Sequence, residues 1–594
     1  MPALRQQIRR EVLKNTEHSP PPFSHMRGGF LCRLQRGFSI FRQGRHGKAD
    51  LTAAAEFGMI QENGCWKEGL RLARLKRICF AGLNGVCAVW TGITVILITL
   101  NIAAYYYNVV EFQPLRYLLA AAGAAALTFA VYTVCKKLPK LYAFLRSYPD
   151  KVLLGSILLL FAVQAVFLAV AYAPLGWDVT EMIEMASGES LFDSYFIRYP
   201  NNTVMTACLK LLFQFTNKLG MDVWLAAILL SALATDLAVL LVCLTVKKVF
   251  GLRAFYLTLW LSVLLYALHP TVSTPYSDTY AMPFTAGFVY LGTQFLYSDT
   301  RRAKGKYAAL AGFVLYFGYC IKPTVMIAGI AAAIFLLLYL KRPTKAQVLS
   351  AALCAVLFCG GVLTAVVAKE TANPIIFGHV PTEEERYQKE FPLSHFLMMG
   401  LNEREDAYYG YFRSDVQLTA SIAGKAEKTA MHKRVIRNRL QDFGVAGFLE
   451  HCFNKAVWVS TDGTFYYGGE GEFHNDNEKA ESGLRGVLQN YLYTETDFYA
   501  QYAANCMQGV WLFVLCGAVL ACLRRKRDLT EQQRALRFFL QLTLFGLLLF
   551  LMLFEARARY LFLYLPYFCA LGAVGYSGRF LHRKKAKKTS SEIE

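Results

Sequence analysis

"GWDVTEMIEMASGESLFDSYFIRYPNNTVMTACLKLLFQFTNKLG", residues 176–220, decides how the rest of the chain is threaded. It follows an apolar run, Val152–Leu175, long enough to cross a bilayer. Its first part carries Asp178, Glu181, Glu184, Glu189, Asp193 and Arg198, more charge than a connecting loop needs. Its second part holds an apolar patch, Val204–Phe215. If that patch crossed the membrane, every later basic loop would change sides. We therefore read it as a helix in the membrane interface, with Lys210 and Lys218 reaching to water.

The composition supports a membrane reading. Of 594 residues, 55% are hydrophobic and only 18% charged, unlike a soluble globular chain. Mean hydropathy is +0.31. We expect an all-α integral membrane protein with about twelve spans. These are Gly85–Tyr105, Tyr117–Cys135, Val152–Leu175, Val223–Val246, Phe255–His269, Thr279–Leu296, Tyr307–Ile321, Thr324–Leu340, Leu349–Ala368, Val510–Leu523, Leu536–Phe554 and Tyr560–Tyr576. A large mixed outer-loop subdomain is expected between the ninth and tenth.

The net charge of +21 would suit nucleic acid, but its distribution points to topology. Basic residues cluster between spans: Lys136–Lys140, Lys247–Arg253, Arg301–Lys306, Lys341–Lys345, Arg524–Arg527 and Arg583–Lys588. Basic short loops mark the cytosolic side. With a cytosolic start, all six fall there. The 15 cysteines lie mostly in apolar runs and form no CxxC or Cys/His metal spacing. Cys452 and Cys506 share the large loop, where a disulfide could form. No cleavable signal peptide is expected, since the first apolar segment begins after about 80 residues.

The expected organisation follows. Residues 1–78 form a basic, partly disordered cytosolic extension, with Trp66–Ile78 suited to anionic lipid or to a solvated helix. Residues 79–368 form the first membrane region, including the loop 174–222. Residues 369–507 form a subdomain with 20 acidic and 14 basic residues outside the membrane. Residues 508–580 return to the membrane, and 581–594 form a basic cytosolic tail. Both termini are then cytoplasmic.

Five polar features share the outer side: the 176–202 loop, "HPTVSTPYSDTY" (269–280), "IKPT" (321–324), the subdomain, and "FEARARY" (554–560). Asp178 and Glu181 share a face at helical spacing. Asp178 could act as a general base or hold a cation. The Asp-x-x-Glu pattern also suits a helix cap on Val179–Ala186. Tyr199, Asn201 and Asn202 form a turn around Pro200, or orient the loop toward Asp178. Asp278 is a second carboxylate on this side. Lys322 either snorkels or holds a phosphate. Arg557 and Arg559 either pair with Glu555 or present a fork to phosphate. His395, in "PLSHFLMMGLNE", is either a packed histidine or a substrate contact. Asp236 lies mid-span, as a buried structural contact or a proton site.

In order and side, these motifs resemble the GT-C superfamily of polytopic glycosyltransferases. They are most similar to bacterial relatives of protein O-mannosyltransferases and aminoarabinose transferases. The likeness rests on "GWD" (176–178), "YPNN" (199–202), "PYSDT" (275–279), "KPT" (322–324), "HFLMMGLN" (395–402), and Glu555, Arg559 and Tyr560. An Asp-Glu dipeptide and a WWDYG-type motif are absent. The resemblance implies transfer of a sugar from a polyprenyl-phosphate donor to an outer-face acceptor, which could be an envelope glycan, a glycolipid or a protein. Asp178 would be catalytic. Glu181, Tyr199, Asn201, Asn202, Asp278 and His395 would meet substrate or acceptor. Lys322, Arg557 and Arg559 would hold the donor phosphate. No metal ligands or certain cofactor are implied, although a divalent cation could assist Asp178. The partners implied are the lipid-linked donor, the acceptor and the bilayer, with no nucleic acid and no obligatory protein. The location implied is a bacterial plasma membrane. The rival readings are a transporter or flippase of an envelope precursor, resting on Asp236, and a non-catalytic envelope scaffold.

Overall fold

Prolines set the first turns of the fold. Helices start at Pro114, Pro139 and Pro149, running Pro114–Lys137, Pro139–Ser147 and Pro149–Ala171. Proline is tolerated there because the first helical N–H has no intrahelical partner. The computed structural model describes residues 65–102, 110–172, 174, 176–189, 193–339, 345–378, 380–402, 409–469 and 482–578. The chain from Leu72 onward forms one compact unit, and residues up to Arg71 belong to a separate one. Most of the 1–78 extension and all of the 581–594 tail therefore lie outside the described residues.

Every predicted span overlaps a helix among the described residues, but not all twelve have the length and apolarity of a crossing. Among the described residues seven helices qualify: Arg74–Thr99, Pro114–Lys137, Pro149–Ala171, Val223–Phe250, Gln347–Phe377, Tyr499–Leu523 and Glu531–Leu553. Leu252–Tyr266, Pro323–Leu338 and Leu565–Tyr576 are apolar but shorter. The helix Thr203–Thr216 has 14 residues, about 21 Å at helical rise. That is shorter than a hydrocarbon core of about 30 Å.

The bundle closes where backbones touch. Gly312 faces the Phe358 carbonyl and Gly361 the Ala309 carbonyl, so Arg301–Ile321 and Lys345–Phe377 cross without intervening side chains. Gly575 meets the Gly517 carbonyl in the same way. Small residues permit this approach, which membrane helices use in place of hydrophobic drive. Larger apolar side chains such as Leu119, Phe129, Leu159, Val166, Val356 and Leu363 point outward instead.

Three connections, around residues 145–150, 247–256 and 533, meet at one end. Lys247 pairs with Asp150, Tyr256 donates to the Leu145 carbonyl, and Gln533 donates to the Val249 carbonyl. The polar loops gather through their own contacts, described below.

The segment 380–498 corrects one expectation. It is helical, with no strand among the described residues, so the subdomain is not mixed. Its helices are Glu383–Lys389, Leu393–Gly400, Arg413–Ala420, Lys425–Ser460 and Gly483–Leu492. A two-pronged Arg439–Asp415 ion pair ties two of them, at 2.7 and 2.9 Å. Lys455, fully buried, donates to the carbonyls of Gly400 and Phe554, each at 2.6 Å. Backbone bonds from Glu555 to Phe396 and from Ala556 to Tyr409 complete the dock.

Burial pushes the Lys455 amine down to about 7 from its ordinary 10.5. The unfolded chain then binds more protons than the folded one between these values, so stability from this group rises with pH across that window. Lys455→Met should strand two carbonyls at roughly 1–3 kcal/mol each. The gap in melting temperature between wild type and variant should widen from pH 7 to 10, measured in detergent. A gap independent of pH would contradict this.

Candidate functional site

The site begins with a glycine. Gly176 adopts φ 115°, and a Cβ there would press on the Tyr276 ring and Val179 at 3.0 Å. Only glycine accepts that backbone without strain. The helix Trp177–Ser187 starts immediately after, with Gly176 at its N-cap and no side-chain cap. The capping role open to Asp178 is thereby corrected, because the helix starts too early for it. Asp178 sits in the first turn, exposed, and its Oδ1 accepts a 2.8 Å bond from the Tyr195 hydroxyl.

The turn Pro200–Asn202 supplies the next partners. Asn202 Nδ2 donates to the Tyr195 hydroxyl at 2.7 Å, and Asn201 Nδ2 donates to Asn202 Oδ1 at 2.9 Å. The Tyr199 ring packs on Tyr195 and Phe391. Burial raises Glu181 above the usual carboxylate range, with Glu184 and Asp178 adding to it.

A second carboxylate lies deeper. Asp278 is 1% exposed, and its Oδ2 binds Lys322 Nζ at 2.9 Å and Arg559 Nη1 at 3.2 Å. Its Oδ1 has no hydrogen-bond partner among the described residues. The two cations keep slight exposure, 11% and 6%. Lys322 also lies 4.2 Å from the Tyr560 ring, and Arg559 lies 3.7 Å from the Tyr276 ring. Burial lowers the Lys322 amine and Asp278 opposes that shift. Two cations therefore converge on one buried carboxylate oxygen, walled by the Tyr276 and Tyr560 rings. Such a group suits an anionic ligand.

Tyr276 joins the two carboxylates. Its hydroxyl accepts the Trp177 N–H at 3.1 Å, while its ring carries the Arg559 guanidinium. The Trp177 ring meets Tyr411 edge-on. Arg557 Nε lies 3.4 Å from Glu555 Oε1, the interfacial pair open to it from sequence.

Of the sequence-predicted residues, Asp178, Asn201 and Asn202 share one network, and Asp278, Lys322 and Arg559 share another. His395 belongs to neither. It is fully buried, with Nδ1 on Thr419 Oγ1 at 2.7 Å, and burial pushes it down to about 4. Its place is a packed cluster with Ser394 and His432. Tyr195 and Tyr276 were not among the expected site residues. Both stand inside quoted stretches, but local spacing shows the partner of neither. Asp236 is buried mid-helix, with both oxygens lacking partners among the described residues. Among those residues no group of three or more His, Cys, Asp or Glu could hold a metal ion.

No curated protein sequence matches the chain. Among solved structures, the chain is similar to the archaeal oligosaccharyltransferase AglB from Archaeoglobus fulgidus, in complex with an inhibitory peptide and a dolichol-phosphate. Identity is 12%, 73% of this chain and 50% of that one are covered, and the TM-score is 0.35. The chain thus spans half the length of that protein. It is also similar to ArnT from Cupriavidus metallidurans in the apo state, at 12% identity, 73% and 78% coverage and TM-score 0.28. With the same protein bound to undecaprenyl phosphate the TM-score is 0.26, at the same identity and coverage. Residues 93–579, most of the chain, match one family throughout, and the protein belongs to it: the family described as conserved hypothetical integral membrane protein.

Proposed function

We propose that this protein is a membrane glycosyltransferase. It moves a sugar from a polyprenyl-phosphate donor to a hydroxyl acceptor on the outer face of the membrane. The observation that carries this reading is the pairing of an exposed carboxylate, Asp178, with a buried cationic pair, Lys322 and Arg559, through Tyr276. The motif resemblance to GT-C enzymes agrees with it. The outer placement rests on the basic connections at the opposite end.

The chemistry is a displacement. Asp178 takes the acceptor hydroxyl proton as its oxygen attacks the anomeric carbon. The bond from that carbon to the phosphate oxygen breaks, and the phosphate leaves with the electron pair. Fixed positive charge at Arg559 and Lys322 stabilises it where the charge develops. The donor supplies its own activation.

The test is transfer from radiolabelled polyprenyl-phosphate hexoses in proteoliposomes with an envelope acceptor fraction. Asp178→Asn should lower kcat by roughly 10²–10⁴-fold. Arg559→Ala should cost about 10²–10³-fold. Transfer that survives Asp178→Asn would remove the base assignment, and proton-coupled uptake that depends on Asp236 would favour the transporter.

Asp278→Asn should behave differently. It leaves two buried cations without their anion, a loss of about 3–5 kcal/mol. Saturating polyprenyl phosphate should recover part of the lost melting temperature by neutralising them. No recovery in the variant would argue against a phosphate at this trio.

A further inference from the structure

The Tyr195 hydroxyl sits between a carboxylate and an amide, and a hydroxyl has a single proton to give. Asn202 Nδ2 donates to its oxygen, so that proton points to Asp178 Oδ1. Turning the Asn202 amide over would require Asn201 to turn with it, since Asn202 Oδ1 accepts from Asn201 Nδ2. Donation therefore runs one way, from Asn201 to Asn202 to Tyr195 to Asp178. Reversing it would set the phenol oxygen lone pairs against the carboxylate.

We propose that this one-way hydrogen-bond wire makes Tyr195 the positioning residue for Asp178, occupying Oδ1 so that Oδ2 is the atom presented to an acceptor hydroxyl. The inference rests on the glycosyltransferase reading for its function, but not for its geometry. Asp178 Oδ2 has no hydrogen bond among the described residues, and the side chain is exposed. Asn202 is buried, and its turn is fixed by Pro200 and by the Thr206 hydroxyl on the Asn202 carbonyl. Burial and the neighbouring Asp178 raise the Tyr195 phenol well above its ordinary range, so it keeps its proton. The YPNN turn then has a reason beyond turning: its two amides fix the direction in which one phenol donates.

The polarity makes an unusual ordering of variants. The experiment is carbodiimide labelling of the full-length protein in proteoliposomes, with mass spectrometry comparing Asp178 with Glu189 in the same molecule. Tyr195→Phe should raise the relative labelling of Asp178 on the order of tenfold, since a bond to a charged group is lost. Asn202→Asp should raise it comparably, because the new carboxylate competes for the phenol proton. Asn202→Ala should change it least, because Tyr195 then keeps its proton for Asp178. A purely packing role predicts the reverse, with the isosteric Asp the mildest. In transfer assays, Tyr195→Phe should lower kcat on the order of tenfold and leave KM within about twofold. Unchanged labelling in Tyr195→Phe, or Asn202→Ala exceeding Asn202→Asp, would overturn the wire. The expected labelling order with no transfer dependence on Asp178 would keep the wire and remove the catalytic reading, so the two failures are distinguishable.

Discussion

Asp278 holds two cations with one oxygen, and the geometry around the site follows from that. Burying a carboxylate costs several kcal/mol unless it is paired. The three residues come from three separate helix ends. Asp278 lies in the first turn of Ser277–Tyr297, where the helix dipole favours an anion. Lys322 follows the last residue of Arg301–Ile321, where the dipole favours a cation. Arg559 opens the short helix Arg559–Phe562. Segments almost 300 residues apart in sequence are thus fixed to one point. Tyr276, two residues before Asp278, passes that constraint to the Trp177–Ser187 helix.

The 269–280 loop is itself braced from behind. His269 Nδ1 accepts the Thr271 N–H, so its Nε2 carries the proton and donates to the Gly463 carbonyl. Gly463 belongs to a turn in which Phe465 and Tyr466 adopt φ of 53° and 63°. Non-glycine residues there cost on the order of 1 kcal/mol each. Asp462 offsets this by accepting from the Thr464 N–H and hydroxyl and the Tyr466 N–H. The strain thus lies behind the site, where it fixes the loop that carries Tyr276 and Asp278.

The helices were legible because apolar runs of this length have few other uses, and all twelve expected spans overlap helices among the described residues. The polar motifs at their ends were legible too, since charge beside a span is conspicuous. Pairing was not. "PYSDT" announces a carboxylate, but nothing local says that Asp278 is spent on Lys322 and Arg559. The Asp-x-x-Glu pattern at 178–181 suggested a cap, a purely local inference that Gly176 overrides by starting the helix earlier. Tyr195 is 17 positions from Asp178, a separation with no helical or strand periodicity. The 380–498 segment hid its helicity for another reason. Its 36-residue helix Lys425–Ser460 is highly charged and kinked at Gly444, where φ is 57°, so no single apolar stripe runs along it.

The charges are arranged in a gradient, and the proposed reaction has a use for it. Asp178 is an exposed anion. Arg557 and Glu555 largely cancel. The Asp278 trio is buried. In a displacement at an anomeric carbon, negative charge moves from the attacking oxygen toward the departing phosphate. The ends of that path need opposite environments: a base open to the acceptor, and a poorly hydrated cation at the leaving group. If Asp278 were absent, two buried cations would repel and turn to other anions. Lys322 and Arg559 thus stand together on one buried carboxylate, at the end of the path where the proposed reaction develops negative charge.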